Sequence, residues 1–316
     1  MQRSTQVWLA FLLLALAWGS SYLWIKIGLG SLTPLTLVAG RLLFGAAFLA
    51  LVVASAREEL PRTRRMYGHL LVMSVINIVV PFTLITVGEQ SIDSALASIL
   101  NATVPLGVIV IAPFFLPDER ITPARVAGLA VGFAGVILLV APDLVNLGDS
   151  DITGELMLLG SSLSYAIGNV YNRKNVRGLR PMIPALFQVS FAAVIIVALA
   201  AIIDRPWEAF SPEPVAIVAV VWLGILGSGI AYLCYFFVLQ HWGATRTSTI
   251  AYVLPVVGIA LGFVVLGDPI TINRIAGTAL IIAGVAVVNG GAALRSVGAR
   301  LGRRTEPEPV EAIEAR

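Results

Sequence analysis

The chain has 316 residues, of which 58% are hydrophobic and 12% charged, with a formal net charge of +3. Soluble globular domains carry about 25% charged residues, so the composition excludes one and indicates a polytopic membrane protein. The single cysteine, Cys234, excludes a disulfide framework, and no metal-ligand spacing or cofactor motif is present.

The first apolar run, 7–29, holds 23 residues, about 34 Å of helix at ~1.5 Å per residue, against a hydrocarbon core of about 30 Å. Its start, with Arg3 before an apolar core, has the look of a secretory signal. The run continues to Leu29, however, well past a signal core, and is read as a first span. Trp18, Tyr22 and Lys26 recur every four residues and form one stripe, with Gly19, Ser20 and Ser21 beside it. A charge inside a span is costly, so Lys26 either belongs to a pathway or, three residues from the span end, reaches the interface or a structural ion pair.

The second run, 33–54, places Arg41 roughly 12 Å deep. Arg offers a permanently charged planar fork suited to a carboxylate or phosphate, which makes Arg41 a candidate substrate anchor. The alternative is a tie to Glu89 or to the carbonyls of a broken helix. Further apolar runs cover 69–88, 92–116, 124–141, 154–172, 182–203, 215–238, 244–266 and 272–291, ten in all, joined by short loops. The tail ends in TEPEPVEAIEAR, which reads as disordered.

Within these runs Asn77, Asn101, Tyr165, Asn169, Gln188, Tyr232, Tyr235 and Tyr252 are polar side chains that must face protein or water, as substrate-site lining or as helix-to-helix hydrogen bonds. Pro105 and Pro255 interrupt the fourth and ninth runs and are candidate hinges. No carboxylate sits at midspan. Glu89 and Glu155, near the outer ends, are the candidates for any coupling role. Gly128, Gly132, Gly135, Gly277 and Gly284 read as sites of close helix packing rather than ligand contacts.

With the amino terminus inside, 17 of the 21 Lys and Arg residues fall in inside loops or the tail, against Arg205 and Arg274 outside. That asymmetry predicts both termini to be cytoplasmic. Internal spacing also repeats. Pro105 and Asp118 recur 150 residues later as Pro255 and Asp268; Arg125, Gly128 and Gly135 recur 149 later as Arg274, Gly277 and Gly284. Pro34 and Phe44 recur 147 later as Pro181 and Phe191, an offset that sets Gln188 against Arg41. Five spans per copy is odd, so the second copy enters the membrane in the opposite sense. The expected fold is an all-α polytopic membrane protein of ten transmembrane helices in two inverted five-helix repeats: 1–141, a linker at 142–153, 154–291, then a cytoplasmic disordered tail at 292–316.

WGSSYLWIK, the arginine of GRLLFGAA, ALASILNATVPL with DERITPARVAGLAVGFAGVILL, and the second copy STIAYVLPVVGIALGFVVLGDPITINRIAGTALIIAGVAVV together resemble the EamA family of the drug/metabolite transporter superfamily. The resemblance covers roughly residues 7–291. It implies a permease or exporter of amino acids, nucleobase-like metabolites or drugs in a bacterial inner membrane, working as a secondary transporter by alternating access. The alternative is a membrane receptor or assembly protein that binds a small ligand without turnover. A membrane enzyme would need a convergent His/Asp/Glu/Ser set at one depth, and none is seen. The expected partners are a small-molecule substrate and the lipid bilayer. No nucleic acid is expected, and the lack of a Walker-type loop implies no ATPase subunit.

Overall fold

The computed structural model describes residues 2–303 apart from 118, 120, 146–151, 177–178, 181, 209–210 and 248–249; side chains at 2–4, 141–145, 236, 239–240, 243–246, 252 and 288–303 lie outside the description. Among the described residues the chain is all helical. The first run is α1 (Gln2–Gly19) and α2 (Ser21–Gly28), and the second is α3 (Pro34–Ser55). The third joins α4 (Arg64–Ser74) through a π-helical turn, Val75–Val79, to α5 (Val80–Gly88). The fourth is split into α6 (Ser94–Asn101) and α7 (Val104–Phe115), followed by α8 (Pro123–Val145), α9 (Thr153–Asn175) and α10 (Met182–Ile203). Then α11 (Pro214–Trp222) continues through a second π-helical stretch, Leu223–Ile230, into α12 (Ala231–Thr247). Finally α13 (Ile250–Leu261) ends in a third, Gly262–Leu266, before α14 (Ile272–Arg303).

Seven of the helical segments are long and apolar enough to cross a membrane, and Val253–Leu266 and Ile272–Val287 are shorter apolar helices. α9 has the length, at 23 residues, but a more polar sequence. Two boundaries differ from the sequence reading. α12 runs on to Thr247, so the ninth segment begins at Ile250 rather than 244; no proline interrupts 239–247. α14 reaches Arg303, so 292–303, read as disordered tail, is helical: Ala, Leu and Arg favour helix there and the first proline is Pro307.

Local chemistry explains the starts. Thr33 and Glu213 are extended and each is followed by a proline in the first helical turn, where the missing N–H costs nothing. Asp93 caps α6 by accepting from Leu96 N at 2.9 Å. Gly267, at φ +73°, turns the chain out of the third π stretch.

The packing is paired across the two halves. α3 lies on α10, α6 on α13 and α8 on α14. α1 lies against α12 and α13, while α9 lies against α5, α6 and α7; α3 meets the Leu223–Ile230 turn, while α10 meets Val75–Val79. Large apolar side chains such as Leu51, Phe114, Val194 and Val264 remain on the outside, as a lipid-facing surface requires.

Small residues set the closest crossings. A Cβ added at Gly135 would stand 2.7 Å from Gly277 O, and one at Gly284 would stand 2.5 Å from Gly128 O and 2.6 Å from Gly132 N. The obstructing atoms are backbone and cannot rotate away. The glycines of α8 and α14 therefore bring two backbones into contact, as their sequence spacing suggested. Gly284→Leu should destabilise the protein by about 1–3 kcal/mol or prevent its folding, measured by thermal unfolding in detergent. Gly68→Ala, where nothing lies within 4 Å, should be close to neutral in the same assay.

Candidate functional site

The polar residues of the spans gather where the π turns cross the second helix of the opposite half. Arg41, on α3, is 6% exposed; its Nε donates to Ser228 Oγ at 3.1 Å and its guanidinium lies 4.0 Å from the centre of the Phe82 ring. Ser228 belongs to the Leu223–Ile230 turn and itself donates to Leu223 O at 3.1 Å. At the other crossing Asn77, on the Val75–Val79 turn, faces Gln188 of α10 with Nδ2 3.5 Å from Gln188 Oε1. Asn77 presses on Gly168 of α9, where its amide occupies the space of any Cβ. Both contacts have one form: a polar side chain on a π turn meets a polar side chain on the second helix of the other half.

A π turn shifts its carbonyls off the helical register, and those carbonyls need donors. Trp18 Nε1 donates to Gly227 O at 3.1 Å, and Ser164 Oγ donates to Ile76 O at 2.6 Å. Each donor stands on the first helix of the opposite half. The Trp18 ring also carries Tyr232 edge-on at 6.0 Å between centroids and Tyr235 at 5.6 Å, so these two tyrosines do share a face.

The titratable side chains around Arg41 are the phenols of Tyr165, Tyr232 and Tyr22 and the carboxyl group of Glu89. Tyr22 is buried with its hydroxyl against the Asn101 side chain, and Ser161 Oγ lies 3.5 Å from Asn101 Oδ1. Asn169, one turn from Tyr165 on α9, is exposed; it lies on a different face from the exposed Leu163 and Ile167. The Tyr252 side chain falls outside the described residues. Pro105 follows the break at 102–103, near the start of α7, and Leu100 O, in the last turn of α6 before that break, accepts from Thr103 Oγ1 at 2.6 Å and Ser162 Oγ at 3.1 Å. Pro255 sits within the continuous α13.

Lys26 does not join the aromatic and guanidinium group. Its ammonium donates to Glu89 O at 2.5 Å and Ile92 O at 2.8 Å, closing the carbonyls at the end of α5. At this same end Asp268 accepts from Ser94 Oγ at 2.8 Å and Ala95 N at 3.0 Å, and Arg274 pairs with Asp93. The second half thus grips the N-terminus of α6. Glu89 and Glu155 are both buried here. At the opposite end Glu119 binds both Arg125 and Arg173, Arg180 pairs with Glu58 at 2.8 Å, and His69 meets Tyr171 at 2.8 Å. No group of three or more metal-ligating side chains occurs among the described residues.

Ser228 and Phe82 were not among the sequence candidates. The signal for Ser228 was present in GILGSGI, a serine between glycines in an apolar run; Phe82 had none, because a ring below a guanidinium is indistinguishable in sequence from any core phenylalanine.

Compared with known proteins, residues 6–141 and 152–290 each match the model of the EamA-like transporter family. The chain belongs to that family. It is 27% identical over 280 residues to the uncharacterized transporter YoaV of Bacillus subtilis strain 168, covering 88% of this chain and 95% of that protein. It is also 29% identical over 272 residues to the uncharacterized inner membrane transporter YedA of Escherichia coli K12, with 86% of each covered. A solved crystal structure superposes with a TM-score of 0.62, covering 96% of this chain and 99% of that one at 23% identity, a likeness of fold. This EamA-like chain is therefore an integral membrane transporter and not an enzyme.

Outside the spans, burial pushes the Glu119 carboxyl up, but hydrogen bonds and charge from Arg125 and Arg173 outweigh it and hold the group below the usual carboxylate range. A depressed carboxylate stabilises the fold above its unfolded value and loses that contribution as pH falls through the folded one. Thermal unfolding of Glu119→Gln should therefore respond less to acidification than that of the parent protein, and the two should converge at low pH.

Proposed function

We propose that this transporter moves small metabolites carrying an anionic group by alternating access, as a secondary transporter of the inner membrane built from two inverted five-helix repeats with both termini cytoplasmic. The observation that carries the reading is Arg41: a permanently charged, nearly fully buried guanidinium held by one hydroxyl and one ring face, amid phenols and without a described ion pair. A fork of five donors so placed suits a carboxylate or phosphate entering from an aqueous opening. The inverted-repeat part rests on the spacing of the sequence and on the exchanged helix contacts, with the π turns at Val75 and Leu223 starting 148 residues apart, between the offsets of 147 and 149. The closed cluster at the Glu89 end and the exposed Asn169 toward the other end support a state shut outside and open toward the cytoplasm.

Purified protein in liposomes should exchange a labelled carboxylate metabolite against the same unlabelled compound across the membrane. Arg41→Gln should abolish this counterflow while leaving its elution profile and thermal unfolding unchanged. Counterflow undiminished in folded Arg41→Gln would overturn the anchor role, and ligand binding without counterflow would favour a receptor. For topology, a cysteine placed in 143–151 should react with an impermeant maleimide on intact cells, whereas one beside Arg62 should react only after permeabilisation.

A further inference from the structure

Glu89 follows α5 directly, where the chain turns towards α6. Its exposure is 0%, and neither carboxyl oxygen has a hydrogen-bond partner. The charged groups acting on it come from four places: Lys26 on α2, Arg41 on α3, Asp93 in its own turn and Asp268 on the loop before α14. Tyr22 on α2 is the neutral titratable group beside it. On α9, which crosses α5 backbone to backbone at Gly88 and Gly154, the nearest acid in sequence is the buried Glu155.

The acids of this cluster are treated differently. Asp268 accepts two hydrogen bonds, and Asp93 caps α6 and pairs with Arg274, so both are satisfied as anions. Glu89 receives nothing. Lys26, the cation best placed to pair with it, is instead bonded to the carbonyls of Glu89 and Ile92. Leaving an ionised carboxylate dry and without donors costs far more than leaving the neutral acid there. Opening this end admits water and frees Lys26 from the carbonyls, and both changes favour the anion.

We propose that Glu89 is a proton-binding site, loaded when the Glu89 end is closed and emptied when it opens. The step is a protonation alone: an O–H bond forms at a Glu89 carboxyl oxygen with a proton taken from water, and on opening the same bond breaks and the proton returns to water. Resting on the transporter reading, the assignment makes the transport cycle proton-linked at this residue.

The test does not require a known substrate. In a Cys234→Ser background, a cysteine replaces Ser98, which is buried one turn below Ser94 on α6. Its labelling by an impermeant maleimide from the Glu89 side of proteoliposomes is followed against pH. With Glu89 present, labelling should rise several-fold as pH rises; with Glu89→Gln, an isosteric mimic of the acid, it should stay low at every pH, and Glu89→Asp should restore the dependence. Infrared difference spectra between acid and alkaline pH should show a protonated-carboxyl band that Glu89→Gln removes and Asp93→Asn and Asp268→Asn retain. Equal pH dependence in Glu89→Gln, or a parent protein without a band assignable to Glu89, would overturn the assignment, and the band decides even if a variant folds poorly. Absence of counterflow with the band present would instead remove the transporter reading and leave the proton site standing.

Discussion

A backbone carbonyl or N–H that leaves helical register inside a bilayer has no water to turn to, and most of this architecture answers that constraint. The π turns at Val75–Val79 and Leu223–Ile230, and the break between α6 and α7, each expose polar backbone. Side chains from the opposite half supply donors: Trp18 to Gly227 O, Ser164 to Ile76 O, Ser162 to Leu100 O. Thr103 and Ser228 add donors from within their own halves, to Leu100 O and Leu223 O, but neither half satisfies its irregular helices alone. The halves are consequently interdependent, and the irregularities mark the places where they meet.

The same turns create the interior polarity. A π turn re-aims the residues it carries, and here it directs Ser228 towards Arg41 and Asn77 towards Gln188. One crossing holds a charge and the other only amides, so a nearly symmetric frame contains an electrostatically one-sided interior. Phe82 below the guanidinium recovers part of its lost hydration through the negative face of the ring, without adding an anion that would neutralise it.

The two ends differ in what holds them. Ties cross between halves at both ends, but at the Glu89 end the buried Asp268, joined by the partly exposed Arg274, binds the start of α6. At the other end Glu119 gathers Arg125 and Arg173 in a partly exposed cluster, which solvent screens. Thr122 and Thr271 accept from the backbone N–H of Arg125 and Arg274 at 3.4 and 3.3 Å, so the two loops share one local geometry. Their arginines nevertheless take different partners: Arg125 pairs with Glu119, whereas Pro269 stands at the equivalent place in the second copy and Arg274 pairs across with Asp93.

The sequence by itself determined the membrane class, the span order, the duplicated spacing and the glycine seam between α8 and α14, because apolar run length and backbone crowding are local or periodic properties. It also marked Arg41, since a charge at that depth is costly in any fold. Lys26 shows the limit: its place in the first run left a pathway role and a structural one both open, and whether an ammonium meets substrate or closes carbonyls depends on where the end of α5 packs, 63 residues away in the chain. Ser228, Phe82 and the unpartnered Glu89 were decided only in three dimensions. Their significance lies in which groups do and do not reach them, and burial between helices distant in sequence leaves no periodic trace in the chain.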